Sequence, residues 1–320
     1  RRGVQERAGA ARLADTWSGW RPGEPVAAVW GNPPVPRGWR GRLRAALKDR
    51  FVFLDTMRLD DAAVDRFLAD WRRVRPGLLY GHAHSLFLLA DSLARRGVAA
   101  PRPQGIVATS MMLLQPERAV VERVFGVRVT DRYGCEELGL IACECERHAG
   151  LHLNAELVAV EVLRPDGAPA AAGEAGRLVI TDLANRGQPL LRYEVGDWGA
   201  LAPEPCACGR GWPLLARLVG RTADFLVARD GARVAGISLI ENTLTRYPGI
   251  RQLQLVQETR TRVVVNLAPA DGYGEPTARG LTETLQRSLG ADVAVEIRLV
   301  ERIAQEASGK YRFAICKVDG

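Results

Sequence analysis

Lysine is nearly missing from this chain. Of 44 basic residues only Lys48, Lys310 and Lys317 are lysine; the other 41 are arginine. A genome biased against lysine codons accounts for the ratio as a whole, since Ala and Gly are also abundant. Against that background, each lysine is a candidate for a position that the planar, bulkier arginine cannot fill. Long apolar runs are also missing: none approaches the roughly 18–20 residues of a membrane span. No block of five basic residues occurs, and the arginines are spread through mixed-sign stretches such as 60–75. The net charge of +7 therefore argues only weakly for a nucleic-acid partner. Cysteine is too sparse for a disulfide scaffold, with six in 320 residues. The cysteines are clustered instead, as Cys135, Cys143 and Cys145, then Cys206 and Cys208, then Cys316. Without a secretion signal, that clustering points to metal or catalysis before disulfides. The chain opens Arg1-Arg2-Gly3-Val4, with no Met and no apolar stretch. The expectation is a cytoplasmic fragment of a longer protein.

What is present is ordinary globular composition, 47% hydrophobic and 25% charged, enough for about two domains. Residues 1–50 are rich in Arg, Trp and Pro, with Pro33, Pro34 and Pro36 breaking structure. The pattern then predicts a helix over 60–75, capped by Asp60 or Asp61. Its stripe is Val64, Phe67, Leu68, Trp71 and Val74, and Pro76 ends it. A second helix is predicted over 85–96, with Gly97 as its stop, and a third over 116–125, with Pro116 in its first turn and Gly126 behind it. A strand at 127–130 follows at once, so the layering is α/β. From 151 the period shortens to strands at 157–163 and 177–183. Beyond Gly220 come a hairpin turning at Asp230-Gly231, a helix over 237–246, strands over 252–257 and 262–268, a helix over 276–289 and a strand over 293–300. That is a separate small α+β unit. No internal repeat or low-complexity run occurs.

Four short motifs follow one another: Tyr133-Gly134-Cys135-Glu136, Arg192-Tyr193-Glu194-Val195-Gly196-Asp197, Gly220-Arg221-Thr222-Ala223-Asp224 and Ser308-Gly309-Lys310-Tyr311-Arg312. Each is weak alone; their order is informative. Together with Cys145 and His152, Thr181-Asp182-Leu183, Pro189-Leu190-Leu191-Arg192-Tyr193, Cys206-Ala207-Cys208-Gly209-Arg210 and Gln252-Leu253-Gln254-Leu255-Val256-Gln257, they resemble the adenylate-forming ligase superfamily. The closer resemblance is to its phenylacetate–CoA ligase and CapK-like branch, over nearly the whole chain.

The resemblance implies a large adenylation domain of mixed β-sheets with helices (1–219), lacking its phosphate-loop segment, and a small mobile α+β lid (220–320). It implies activation of a carboxylic acid, aromatic among the options, by ATP as acyl-AMP, then transfer to CoA or an amine. Charge develops on the α-phosphate in such a step, so the site must supply a cation and fixed donors. By resemblance, Glu136 would hold Mg²⁺. Tyr133 would pack at the adenine, and Gly134 would let the backbone approach. Asp197 would bind both ribose hydroxyls, and Arg221 would reach ribose or phosphate. Lys310 would bring a compact ammonium to the carboxylate and α-phosphate. Arg192 reads as structural. His82 and His84 precede a helix where this family builds its acyl pocket.

Cys145, His152, Cys206 and Cys208 offer three thiolates and an imidazole, a set that suits structural Zn²⁺. The resemblance favours this set over Cys143 and His148. Two departures stand out. The pivot two residues past the motif arginine is usually Asp or Lys, and here it is Ala223. No Ser/Thr/Gly-rich phosphate loop occurs in residues 1–60, so the family's loop is expected upstream of residue 1, and the 320-residue chain alone is expected to show no ATP–pyrophosphate exchange. Three alternatives stay open: a CapK-like adenylyltransferase or amide-forming ligase without CoA, a zinc-stabilised basic nucleic-acid-binding module, and an inactive scaffold.

Overall fold

A computed structural model describes residues 2–31, 39, 50–56, 59–221, 224–306 and 310–318. Pro33, Pro34, Pro36, Lys48, Thr222, Ala223, Ser308 and Gly309 lie outside the described residues. Contacts divide the chain into two units. The first comprises the residues up to Val195, Ala200–Arg217 and Lys310; the second comprises Gly196–Gly199, Leu218–Glu306 and the residues from Tyr311.

The first unit begins with α1 (Arg2–Thr16) and β1 (Val26–Trp30), followed by β2 (Phe51–Asp55), α2 (Asp61–Val74), β3 (Leu78–His82), α3 (Ala83–Arg95), β4 (Gly105–Thr109), α4 (Gln115–Phe125) and β5 (Val129–Cys135). Helix α2 starts where the Asp60 side chain accepts from the Ala63 N–H at 2.7 Å, and it ends at Arg75 in the left-handed conformation before Pro76. Val64, Phe67, Leu68 and Trp71 are its buried stripe. Helix α4 is closed by Gly126 at φ 67. Strands β2-β1-β3-β4-β5 are parallel neighbours in that order. One face carries the main core, where Leu79, Ile106 and Val129 meet Phe67, Leu86 and Phe125. The opposite face holds a smaller cluster of Trp20, Leu78 and Val107.

The sheet continues antiparallel through β6 (Gly139–Glu144) and β7 (Leu151–Leu153). It is completed by β11 (Leu214–Arg221), β10 (Tyr193–Leu201), β9 (Gly176–Asp182) and β8 (Val158–Leu163), for eleven strands among the described residues. The architecture is mixed α/β, with a large sheet and a smaller C-terminal sheet. Among the described residues, no helix is long and apolar enough to cross a membrane.

In the second unit, β12 (Phe225–Val227) and β13 (Arg233–Ala235) form a hairpin. They are followed by α5 (Gly236–Arg246), β14 (Ile250–Thr259), β15 (Arg262–Pro269), α6 (Glu275–Leu289), β16 (Ala294–Leu299) and β17 (Ala314–Cys316). The four-stranded order is β16-β15-β14-β17. Gln257 on β14 is fully buried and stands in for a strand. Its amide accepts from the Val227 N–H at 2.8 Å and donates to the Val227 carbonyl at 2.7 Å. Gln257→Leu would leave both backbone groups without these bonds. We expect a loss of about 2–4 kcal/mol, read as an earlier urea transition for this unit with the first unit's transition unchanged.

Candidate active site and metal lobe

Strand β5 runs from the core to the carboxyl edge of the parallel sheet, then folds back as β6. Tyr133 pairs with Ala142, but Gly134 pairs with Leu140, a shift of register at the Tyr133–Gly134 step. A Cβ on Gly134 would lie 2.3 Å from the Gly139 carbonyl oxygen, so the hairpin itself demands glycine there. Gly139 turns at φ 72. Tyr133 is half-buried and Glu136 exposed, at the carboxyl end of the fifth parallel strand, where open α/β sheets take their ligands. The Tyr193 hydroxyl donates to the Glu137 carboxylate at 3.3 Å, which sets the start of the second motif beside the first.

In the second unit, Asp197 and Arg221 come together, with the carboxylate 3.4 Å from the guanidinium Nε. Asp197 is nearly buried and Arg221 largely exposed. Arg192 turns away to Glu161 at 3.1 Å. Lys310 is half-buried, immediately before a pinned segment. The Tyr311 hydroxyl donates to the Leu253 carbonyl at 2.7 Å, Gln254 donates to the Arg312 carbonyl at 2.8 Å, and Arg312 pairs with Asp224 at 3.5 Å. His82 and His84 are both buried. His82 stacks on Trp30 with centroids 3.8 Å apart, and His84 Nδ1 bonds Glu117 at 2.7 Å.

The donor atoms of Cys145, His152, Cys206 and Cys208 all lie within 4.8 Å of one another. Cys145 Sγ is 3.8 Å from Cys206 Sγ, and Cys208 Sγ is 3.3 Å from His152 Nε2. Cys145 follows the last residue of β6, His152 sits on β7, and Cys206 and Cys208 lie in the loop before β11. Two turns present the sulfurs: the His148 N–H donates to the Cys145 carbonyl and the Gly209 N–H to the Cys206 carbonyl. The Arg147 and Arg210 N–H groups donate to the Cys145 and Cys208 sulfurs, each at 3.5 Å. Such N–H···S bonds favour thiolate. Burial works against the Cys208 thiolate, yet bonds from Arg210 and the neighbouring sulfurs bring it down to about 7. Burial pushes Cys145 up and keeps His152 on the neutral side. A compact Cys₃His set with N–H donors to sulfur fits a tetrahedral, borderline-soft cation such as Zn²⁺.

Two other groups take different partners. Cys143 donates to the Glu144 carbonyl at 3.4 Å, and His148 Nδ1 bonds the Glu144 carboxylate at 3.1 Å. The sequence reading missed the network this belongs to. Glu144 also holds Arg118 through both oxygens, at 2.9 and 3.0 Å, and accepts from the Asp131 N–H at 2.8 Å. Burial opposes the Glu144 charge, but His148 and Arg118 hold its carboxyl below the usual range. Burial, and then the Glu144 charge, push Asp131 up to about 7. Because that folded-state value lies above the unfolded one, Asp131 contributes stability at low pH that is lost as pH rises through about 7. Asp131→Asn keeps the uncharged form at every pH. The melting temperature of the variant should exceed wild type at pH 8, with the gap narrowing as pH falls and closing only below about pH 4, where Asp131 is protonated in the folded and unfolded chain alike.

The family described as the CapK C-terminal domain matches residues 226–317. Phenylacetate–coenzyme A ligase of Thermus thermophilus is 34% identical over 150 residues, which is 44% of this chain and 33% of that protein. Protein CapK of Staphylococcus aureus is 25% identical over 269 residues, 82% of this chain and 58% of CapK. The chain is similar to phenylacetate–CoA ligase and to CapK, and its second unit matches the CapK C-terminal domain. It spans less than two thirds of either curated relative. Its fold is shared with solved acyl-CoA ligase and amide bond synthetase structures. A 2-hydroxyisobutyryl-CoA ligase in the postadenylation state superposes with a TM-score of 0.73 at 20% identity, covering 98% of this chain and 69% of the ligase. The amide bond synthetase McbA of Marinactinospora thermotolerans gives 0.65 at 18% identity, covering 95% and 63%.

Proposed function

We propose that the protein carrying this chain activates a carboxylic acid with ATP as an acyl-adenylate and transfers the acyl group to CoA or an amine. The observation that carries this reading is the single hairpin bearing Tyr133, Gly134 and Glu136 at the carboxyl edge of the parallel sheet, in a chain similar to phenylacetate–CoA ligase. A substrate carboxylate oxygen attacks the α-phosphorus, the bond from that phosphorus to the α,β-bridging oxygen breaks, and pyrophosphate leaves with that oxygen. Tyr133 packs against the base, and Asp197, already paired with Arg221, offers its carboxylate to the ribose hydroxyls. Glu136 is the residue to hold Mg²⁺, which would neutralise phosphate charge. Lys310 places an ammonium between the carboxylate and the α-phosphate, where charge develops. In the second step a CoA thiol or an amine attacks the acyl carbonyl and AMP leaves. Residues 1–219 would serve as the adenylation domain and 220–320 as the lid, and Cys145, His152, Cys206 and Cys208 would hold a structural Zn²⁺.

The amide-forming reading has its own support in the likeness to the amide bond synthetase McbA. Hydroxylamine converts acyl-AMP to a hydroxamate, which tests the first step. AMP release stimulated by CoA, or by an amine instead, separates the two acceptors. Failure to form hydroxamate from any acid, with the protein folded, would remove the proposal.

A further inference from the structure

Helix α1 is an unusual helix for a folded unit, because among its described residues only Ala14 is buried. It has no apolar stripe to dock with, so specific contacts must hold it. These fall at three places. At its carboxyl end, Trp17 lies in a cage made by the metal lobe. The Arg210 guanidinium sits over the Trp17 ring at 4.6 Å, Trp212 packs at 5.4 Å, and the His152 ring meets it edge-on at 5.8 Å. Arg210 is fixed in turn by both oxygens of Glu146, each at 2.9 Å. Within the last turn, Asp15 bonds Arg132 at 2.7 Å. Toward the amino end, Arg7 donates to the Glu137 carbonyl at 3.1 Å and pairs with the buried Asp182 carboxylate.

The cage and the ligand set share their backbone. Glu146 follows Cys145 directly, Arg210 is two residues past Cys208 and bonds its sulfur, and His152 is itself a donor. Whatever draws the four donors together therefore also sets His152 and Arg210 against Trp17, with Glu146 fixing Arg210. Arg7 and Trp17 are ten residues apart, about 15 Å along a helix, and a helix transmits displacement as a rod. Arg7 ends on the turn that carries Glu136.

We propose that the Cys₃His lobe, when it holds its metal, positions the Tyr133–Glu136 hairpin through α1, with Trp17 and Arg7 as positioning residues. This rests on the metal and adenylation readings above, and it adds what the metal does for the candidate nucleotide site some distance from its ligands.

Hydrogen–deuterium exchange on the 320-residue chain, with one equivalent of Zn²⁺ and after chelation, tests it. Metal should slow exchange about tenfold or more in peptides covering 5–16 and 133–139, as well as in the ligand loops, with 61–74 unchanged. In Trp17→Ala the ligand loops should still be protected by metal, and Co²⁺ should still give its tetrahedral thiolate spectrum, while 5–16 and 133–139 exchange at the metal-free rate. Arg7→Ala should lose the protection of 133–139 and keep that of the residues next to Trp17. Metal protection confined to the ligand loops in wild type, or full protection retained in Trp17→Ala, overturns the linkage. Absence of Zn²⁺ and Co²⁺ binding by wild type overturns the metal reading beneath it.

Discussion

Lys310→Arg should lower carboxylate-dependent ATP–pyrophosphate exchange by about 10²–10³-fold, the scale on which one donor to a developing anion acts. Lys317→Arg and Lys48→Arg should stay within about twofold. The segment after Lys310 is held by Tyr311, Gln254 and Asp224. The substitution therefore changes the cation rather than the path of the chain. Arginine spreads its charge over a plane and needs more room than an ammonium. Lys317 is exposed, and the chain uses its backbone N–H, which donates to the Gln257 carbonyl at 2.9 Å. Equal behaviour of all three variants in the gene product that carries this chain would remove the role assigned to Lys310.

Cys206→Ser, or exhaustive chelation of the wild type, should lower the melting temperature of the first unit by roughly 10 °C. The second unit should keep its transition. Cys206 is buried beside Cys145 and Leu214 in a cluster with little other apolar material. The loop from 202 to 213 is also tied to β7 by the Leu153 N–H, which donates to the Pro213 carbonyl at 2.8 Å. Removal of one donor leaves two sulfurs and an imidazole crowded together without the cation that offsets their lone pairs. Cys143→Ser, one strand position from Glu144 and outside the donor set, should cost far less and leave zinc content unchanged. Equal zinc loss in the two variants would contradict the assignment of ligands.

Much of the fold was legible because its helices carry clear stripes. Val64, Phe67, Leu68 and Trp71 recur at helical spacing, and Pro76 and Gly126 stop two helices where the sequence places them. The parallel strands were harder. Leu78–His82 and Gly105–Thr109 are short and buried on both faces, so they show no alternation to read. Helix α1 escaped notice for the opposite reason: its docking depends on Arg7, Asp15 and Trp17 meeting distant partners, which periodicity does not encode. Gly134 shows a different gap. The resemblance assigns it to the nucleotide, while the structure supplies a nearer reason in the Gly139 carbonyl.

The cysteines divide in a similar way. Cys143 and Cys145 are two residues apart, and on a continuous strand they would share a face. The strand ends at Glu144, and the turn from Cys145 to His148 carries the second sulfur toward Cys206. Strand alternation therefore had no power to separate them. The Arg118–Glu144–His148 network was out of reach for the same reason, since it joins a helix, a strand end and a turn.

The most direct test of acyl-adenylate formation is pyrophosphate exchange into ATP by the gene product that carries this chain, across a panel of aromatic and aliphatic acids. The account predicts exchange with at least one acid, lowered about 10²–10³-fold by Lys310→Arg and strongly reduced by Asp197→Ala. No exchange with any acid, in protein that is folded and metal-loaded, would contradict it.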